Sequence, residues 1–288
     1  MKYGINLYLW AEDMHDDLVP VLERLKEIGY DGVEVPIFDL DLDKWRRWAR
    51  RLDDIGLERT ANTVIAPEHN PLSDDPAVRR AAQKHLERVV DCCAAVGSTI
   101  LCGPHQVALG VFTGKGASED EWKRSIEHLQ KVSEHAKAQG VTLAEEVVNR
   151  FELYHVNTLE QGIRLVDEVG HPNCRLHLDT FHAHIEEKDP PAAIRKAGNR
   201  IAHVHISEND RGVPGTGGVR WDDEFEALRD IRYDGWLTVE AFGNFLPNLA
   251  AATKIWRKLF PSEDELAADA YTFLARNWDR GAGVAAAG

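Results

Sequence analysis

Residues 142–179 have the sequence TLAEEVVNRFELYHVNTLEQGIRLVDEVGHPNCRLHLD. The segment begins with one predicted strand, Thr142–Val147, and ends with another, Arg175–Asp179. Between them, Thr158–Val169 has apolar residues at helical spacing and stops at Gly170, and glycine commonly ends a helix because it tolerates a left-handed backbone. Strand, helix and strand in this order indicate successive βα units with parallel strands.

The same alternation of short apolar runs and amphipathic stretches continues over the rest of the chain. Most of the short runs are nearly continuous apolar stretches and do not alternate strictly, which is typical of parallel strands buried on both faces. The predicted strands are Tyr3–Leu9, Gly32–Ile37, Leu57–Val64, Thr99–Gly103, Thr142–Val147, Arg175–Asp179, Ala202–Ser207 and Leu237–Ala241. The predicted helices include Asp17–Ile28, Pro76–Val96, Glu119–Ala138 and Thr158–Val169.

Eight strands, each followed by a helix, predict an α/β fold, a single-domain (β/α)8 or TIM barrel over residues 1–288. A doubly wound open sheet is the alternative. It would usually have fewer strands and a glycine-rich first turn, whereas residues 9–13, LWAED, contain no glycine. Ser262–Trp278 is predicted to form an extra C-terminal helix, followed by a flexible tail, Gly281–Gly288.

Charge and composition argue against several classes of function. The chain has 34 Lys and Arg against 48 Asp and Glu, a formal net charge of −14 at pH 7. An acidic surface repels phosphate backbones, so no nucleic-acid partner is expected. No run approaches the ~20 apolar residues of a membrane span, and the N-terminus lacks the pattern of a signal peptide. Four cysteines without a CxxC pair are typical of free thiols, which predicts a cytoplasmic location.

Polar residues stand at the ends of the last four predicted strands, where a buried strand would otherwise be apolar. Because the carboxyl ends of barrel strands surround one mouth, these side chains are expected to converge where such barrels carry their active sites. Three carboxylates would repel one another, and a divalent cation would relieve that repulsion. Three oxygens and one imidazole suit Mn²⁺, Mg²⁺ or Co²⁺. The predicted metal ligands are Glu146, Asp179, His205 and Glu240.

Three further polar residues follow these strand ends closely: Glu152, His182 and Arg211. Taken singly, Glu152 and Arg211 are best explained as solvated loop charges, and a helix cap explains His182 equally well. The residues alone therefore leave their roles open. The turn Pro214–Gly218 lacks the Lys-Ser/Thr pair of a phosphate-binding loop, and we interpret it as a flexible turn near the mouth.

These motifs resemble those of the ketose 3-epimerases, the D-tagatose 3-epimerase and D-psicose (D-allulose) 3-epimerase group of the xylose-isomerase-like TIM-barrel superfamily. The resemblance extends from the first strand to about Trp278. It rests on Glu146–Glu152 (EVVNRFE), Asp179–His182 (DTFH), His205–Arg211 (HISENDR) with the PGTG turn behind it, and Val239–Glu240.

The resemblance implies one divalent ion, with Mn²⁺ expected before Mg²⁺ or Co²⁺. It implies that the ion is held by the residues matching Glu146, Asp179, His205 and Glu240, and that the sugar is contacted by those matching Glu152, His182 and Arg211. It further implies a homodimer or homotetramer. The substrate is expected to be a free ketose of the allulose/fructose, tagatose/sorbose or ribulose type.

Inversion at C3 of a ketose requires a proton to leave one face and return to the other. Removal of the C3 proton builds negative charge on O2, and a divalent ion chelating O2 and O3 would stabilise the resulting enediolate. A single base could return the proton only to the face it came from, so two carboxylates must flank the sugar. Glu146 and Glu240 are the predicted catalytic acid/bases.

Three other functions fit parts of the sequence. A 1,2-ketose/aldose isomerase or a hydroxypyruvate-type isomerase would use a similar metal site and move a proton between C1 and C2. An enzyme of the apurinic endonuclease type would need several metals and a basic groove, which the net charge of −14 argues against. A non-catalytic sugar-binding protein would explain an aromatic mouth, formed by Trp10, Phe112, Phe181 and Phe242, but not two opposed carboxylates on a metal.

Overall fold

Eight parallel strands close into a barrel in the computed structural model, which describes residues 1–285, with side chains described through Trp278. Each strand pairs with the next along the chain, and the last pairs with the first, so the predicted TIM barrel is confirmed. The strands are β1 (Lys2–Asn6), β2 (Gly32–Pro36), β3 (Glu58–Asn62), β4 (Ile100–Gly103), β5 (Thr142–Glu146), β6 (Cys174–Asp179), β7 (Ile201–Ile206) and β8 (Trp236–Val239).

A ring of helices surrounds the barrel, and local capping explains where several of them begin and end. Ser118 accepts a hydrogen bond from the Glu121 amide at the start of α4, and Thr158 does the same for Gln161 at the start of α5. Gly170 ends α5 with a left-handed φ of 63°. The helices are α1 (Val19–Ile28), α2 (Leu42–Ile55), α3 (Pro76–Ala95), α4 (Glu119–Ala138), α5 (Leu159–Val169), α6 (Thr180–Glu186), α7 (Pro190–Ala197), α8 (Trp221–Asp230), α9 (Pro247–Thr253) and α10 (Glu263–Ala285).

The first strand is shorter than predicted. β1 ends at Asn6 because the Asn6 side chain accepts a hydrogen bond from the Tyr8 amide at 2.8 Å and starts a 3-10 turn over Leu7–Leu9. A side chain that competes for a backbone amide ends the strand without any change in hydrophobicity, so the apolar run Tyr3–Leu9 gave no indication of it. Tyr8 consequently lies at the mouth of the barrel rather than within the sheet.

The expected C-terminal helix is present as α10 and packs against the outside of the barrel. Leu266, Ala270 and Leu274 are fully buried, and the Tyr30 hydroxyl donates a hydrogen bond to the Ala267 carbonyl at 2.9 Å. The helix continues to Ala285, into the segment expected to be a tail, while residues 286–288 lie outside the described part of the chain. Through residue 285, no helix has the length and apolar character required for a membrane span.

Candidate active site

The four predicted metal ligands lie side by side at one end of the barrel. Glu146 and Asp179 are the last residues of β5 and β6, His205 is the last but one of β7, and Glu240 directly follows β8. His205 Nδ1 lies 3.5 Å from Asp179 Oδ2 and 3.3 Å from Glu240 Oε1. All four residues are buried, with Glu146 the most exposed at 7%. Barrel closure therefore brings together residues almost one hundred positions apart in the sequence.

The donor set fits a divalent cation. Ligand atoms of Asp179, His205 and Glu240 lie within 4.8 Å of one another, and Glu146 meets the same limit with Asp179 and His182. Within residues 1–278, Asp179 Oδ2 and His205 Nδ1 are buried and have no hydrogen-bond partner. Buried polar atoms without partners are rare in native proteins, and a shared cation would satisfy both of these. The structure thus contains a candidate metal site.

The electrostatics of Glu146 agree with a cation-binding role. Burial raises the pKa of its carboxyl well above the usual range, and the neighbouring Glu240 and Asp179 raise it further against the opposing effect of His205. A divalent ion among these carboxylates would reverse that tendency, because it favours their charged forms.

Glu34 lies beside the candidate metal site and was not among the residues predicted from the sequence. It is the middle residue of β2, fully buried, and its Oε1 lies 2.7 Å from His205 Nε2 in a hydrogen bond. If Nε2 donates its proton to Glu34, then Nδ1 is left free to face Asp179 and Glu240 as a ligand. A single charged residue between two valines in a buried strand was the available sign of this role.

Glu34 is held by further polar partners inside the barrel. Oε1 accepts a hydrogen bond from Asn6 Nδ2 and Oε2 accepts one from Thr60 Oγ1, both at 2.8 Å, while His203 Nε2 lies 2.8 Å from Oε2. Burial alone would raise the pKa of Glu34, but His205 and His203 outweigh burial and lower the pKa well below its usual range. Glu34 is therefore a carboxylate, fixed in position behind the candidate metal site.

We expect Glu34→Gln to weaken metal binding by about 10–100-fold, the size typical of a lost outer-shell partner. The amide would turn an N–H₂ group toward one of the two histidines and disturb the His205 tautomer. Competition between the protein and a Mn²⁺-sensitive fluorescent chelator measures this directly. Thr60→Val is the control, because it removes one hydrogen bond to Glu34 and leaves the contact with His205. Equal affinities for wild type and Glu34→Gln would contradict the assignment.

Asn149 positions His182 and Glu152. It lies within the motif Glu146–Glu152 but was not among the predicted site residues. Asn149 Nδ2 lies 2.8 Å from His182 Nδ1 and donates to Glu152 Oε1 at 2.9 Å, and the Asn149 amide also donates to His182 Nδ1. Burial lowers the pKa of His182 to about 3, so the ring is neutral. Asn149 presents two donors to Nδ1, which favours the tautomer with the proton on Nε2, 3.5 Å from Glu146 Oε1.

Arg211 is held in a restricted conformation beside these residues. Its φ of 63° is left-handed, which is uncommon for a residue with a side chain and is often found at functional sites. The guanidinium carbon lies 4.1 Å from the ring centre of Phe181 and 4.9 Å from that of Phe242. Its Nη2 lies 3.3 Å from Glu152 Oε1 and 3.3 Å from His182 Nε2. The three predicted sugar-contacting residues therefore form one connected group.

A cavity of about 130 Å³ opens above this group. Its polar wall includes Glu146, Glu152, His182, Arg211 and Glu240, and it also includes Tyr8 and Asn62, which the sequence analysis missed. The Tyr8 hydroxyl donates to Asn62 Oδ1 at 3.0 Å. The apolar wall is formed by Phe38, Val64, Pro104, Leu109, Val148, Phe242, Leu249 and Ala252.

The aromatic mouth expected from the sequence is only partly present. Phe242 lines the cavity and Phe181 stacks on Arg211, whereas Trp10 and Phe112 do not line it. Hydrogen bonds to the side chains of Glu208 and Asn209 hold the turn Pro214–Gly218 in place.

Glu208 accepts hydrogen bonds from the Gly215 and Val219 amides and from Trp221 Nε1. Asn209 Oδ1 accepts a hydrogen bond from the Gly218 amide. These amides are therefore already engaged by side chains of the chain itself.

The family model described as a xylose isomerase-like TIM barrel matches residues 22–261, so the chain belongs to this class of parallel eight-stranded barrels. A probable ketose 3-epimerase from Synechocystis sp. is 31% identical, covering 96% of this chain and 97% of the relative. An L-ribulose 3-epimerase from Mesorhizobium japonicum is 35% identical, and the alignment covers 95% of this chain and 93% of the relative.

Among solved structures, D-allulose 3-epimerase from Methylomonas sp. in complex with D-allulose superposes with a TM-score of 0.90, at 31% identity and covering 96% of this chain and 97% of that one. The chain belongs to the ketose 3-epimerase family and is an isomerase.

Proposed function

We propose that this enzyme inverts C3 of a free ketose, with Glu146 and Glu240 acting as acid/bases on opposite sides of the sugar. The observation that carries the proposal is that both carboxylates line the same small cavity, one at the end of β5 and one after β8, with Asp179 and His205 between them. Two separated carboxylates allow a proton to leave one face of C3 and return to the other. The names of the relatives support the same reaction class.

We assign metal binding to Glu146, Asp179, His205 and Glu240, with Mn²⁺ as the expected ion and Mg²⁺ or Co²⁺ as alternatives. When bound, the ion supplies positive charge beside the oxygens of the substrate and so favours removal of the adjacent proton. The unpartnered Asp179 Oδ2 and His205 Nδ1 support this assignment. Glu34 holds His205 in the tautomer that ligation needs.

The proton traffic follows from the two carboxylates. In one direction Glu146 takes the proton from C3, the C–H electron pair forms the C2–C3 double bond, and the carbonyl pair moves onto O2. Glu240 then donates a proton to the opposite face of C3 while the carbonyl re-forms. The reverse reaction exchanges these roles, and proton exchange with water resets the pair after each turnover.

The remaining polar residues orient the sugar. The neutral His182 presents its Nε2 proton toward the cavity and is suited to donate to O2. Arg211 and Glu152 are suited to bind hydroxyl groups at the C1–C3 end, with Asn149 keeping Glu152 and His182 in place.

A free ketose fits this cavity better than a phosphorylated one. Three carboxylates line it, while Arg211 is the one arginine or lysine in its described lining and already pairs with Glu152 at 3.3 Å. With Asp179 included, the four carboxylates of the site outnumber the three positive charges of Arg211 and the proposed divalent ion, so a phosphate group would meet net negative charge. The apolar wall leaves the far end of the sugar without charged partners.

The rival on the same scaffold is a 1,2-ketose/aldose or hydroxypyruvate-type isomerase, and deuterium distinguishes the two reactions. We expect the metal-loaded enzyme, incubated with allulose, tagatose, ribulose or fructose in D₂O, to place deuterium at C3, as located by NMR. Label at C1 instead would show isomerase chemistry and overturn the proposal.

Arg211→Ala is expected to lower kcat/KM by about 10–100-fold, since one charge-assisted hydrogen bond contributes ~1.5–3 kcal/mol. The loss should be smaller than for either acid/base and should include a higher KM, because Arg211 binds the sugar and moves no proton. Steady-state rates with the best ketose measure both constants. Arg50→Ala, an exposed arginine on α2, is the matched control. An unchanged KM for Arg211→Ala would remove Arg211 from the sugar site.

We further propose that the enzyme is a cytoplasmic homodimer or homotetramer. The four cysteines are buried and free, as expected in a reducing compartment. Phe151, Phe245 and Trp256 are between 69% and 74% exposed, so large apolar side chains are available to a contact between subunits. Light scattering coupled to size-exclusion chromatography measures the mass, and a monomer would contradict the oligomer.

A further inference from the structure

A second cavity, of about 300 Å³, lies between α3 and α4 and shares no lining residue with the candidate active site. Its wall contains four permanent cations, Arg79, Arg80, Arg124 and Lys131, against one acid, Glu127. This local excess of positive charge stands out in a chain of net charge −14. Small-molecule sites in proteins begin at about this volume.

Two of the arginines are held in place by the loop that precedes α3. Arg79 Nη1 donates to the Ser73 and Asp74 carbonyls at 2.7 and 3.0 Å. Arg124 Nη1 donates to the Leu72 carbonyl at 2.9 Å and to Asp74 Oδ1 at 2.7 Å. In the part of the chain with described side chains, only Nη1 of each guanidinium is engaged. Both groups are thus fixed in position while their other nitrogens stay available to an anion.

Of the other polar residues of the wall, Gln83 donates to Glu87 Oε1 at 2.8 Å, whereas Arg80, Lys131 and His128 each have a group without a partner among the described side chains. Arg80 and Lys131 form no ion pair with any residue between 1 and 278. His128 is 6% exposed, and its Nε2 is buried without a hydrogen-bond partner among those same residues. Burial lowers the pKa of His128 to about 3, so the ring is neutral. His128 therefore adds no charge to the wall, and the four cations set its electrostatic character.

We propose that this cavity binds a small molecule that carries a phosphomonoester group. Fixed guanidinium groups match the oxygens of a phosphate through paired hydrogen bonds, and Arg80 and Lys131 balance its second charge. The cavity is larger than a phosphate ion requires, so the ligand includes a small neutral body beside the phosphate. The site is separate from the acidic substrate cavity, and a ligand here acts from the outer helical layer of the barrel.

The test is calorimetric titration of the metal-loaded enzyme with glycerol 3-phosphate, inorganic phosphate and sulfate at constant ionic strength. We expect glycerol 3-phosphate to bind about tenfold more tightly than inorganic phosphate, and sulfate more weakly still. Arg80→Gln with Lys131→Gln should weaken glycerol 3-phosphate binding by at least about tenfold, since the two substitutions remove two positive charges that would pair with the phosphate. Lys84→Gln with Lys123→Gln is the matched control, with one exposed lysine on each of the same two helices and none in the cavity wall.

Three results would overturn the proposal: no binding of glycerol 3-phosphate at millimolar concentration, equal weakening in the two double variants, or inorganic phosphate binding as tightly as the ester. Both double variants retain the candidate active site. If glycerol 3-phosphate bound at the metal site, both double variants would keep the wild-type affinity. That result would also overturn the proposal. The readout is binding, so the result does not depend on whether the proposed epimerase activity is correct.

Discussion

Glu240→Gln is expected to lower kcat by about 10²–10⁴-fold, because the amide cannot take up or release the proton that must cross from one face of C3 to the other. The loss is measured in an epimerisation assay with saturating Mn²⁺, in which chromatography separates the two ketoses. Glu146→Gln should lose a similar amount, since each carboxylate is used once in every turnover. Glu27→Gln, an exposed glutamate on α1, is the control and should retain wild-type activity.

The Glu240→Gln variant also distinguishes a mechanism with two catalytic bases from one with a single base. With Glu146 still present, Glu240→Gln should continue to exchange the C3 proton of one epimer for deuterium in D₂O without inverting it, and the other epimer should exchange far more slowly. NMR of the recovered sugars shows both. Near-normal epimerisation by Glu240→Gln with metal bound would show that the two-base scheme is wrong.

The second large effect is expected at the metal site. Asp179→Asn should weaken Mn²⁺ binding by more than ~100-fold, the upper end of the effect of outer-shell partners, because it replaces a direct oxygen ligand by an amide. At 100 times its Kd an ion stabilises a folded protein by ~2.7 kcal/mol. Wild type should therefore unfold at a higher temperature with Mn²⁺ than with a chelator, and the variant should show almost no difference.

This substitution keeps the structural task of Asp179, which makes the result interpretable. Asp179 Oδ1 accepts a hydrogen bond from the His182 amide at 3.0 Å at the start of α6, and the asparagine carbonyl oxygen can accept the same bond. Removing one charge from a crowded group of carboxylates should leave the metal-free variant at least as stable as the metal-free wild type. A Mn²⁺-dependent rise in melting temperature equal to that of wild type would remove Asp179 from the ligand set.

The parts of the site that were predictable are those with a local cause. Glu146, Asp179, His205 and Glu240 stand out because a charged or imidazole side chain at the end of a buried strand needs a reason to be there. Glu34 is likewise a charged residue in a buried strand, in the middle of β2. Its partner His205 is 171 positions away, and no spacing rule connects two strands across a barrel.

Tyr8 and Asn62 were missed for a different reason. Tyr8 lies in the 3-10 turn after β1, and Asn62 is the last residue of β3. On this side of the barrel the sequence shows no cluster of charged residues. A single hydrogen bond from the Tyr8 amide to Asn6 ended β1 early and moved Tyr8 to the mouth. The hydrophobic pattern does not predict such a bond. Leu7 and Leu9 are buried in the 3-10 turn, as they would be in a strand.

The amino-acid sequence by itself determined the order of strands and helices, the helix limits set by Ser118 and Thr158, and which residue types stand at the strand ends. These features depend on residues within a few positions of one another, where periodicity and capping act. The tertiary structure alone decided which side chains share a cavity, which nitrogen of His205 faces the ligands, and how Arg211 lies between two aromatic rings. Closure of the barrel sets these distances, and it depends on contacts between residues far apart in the chain.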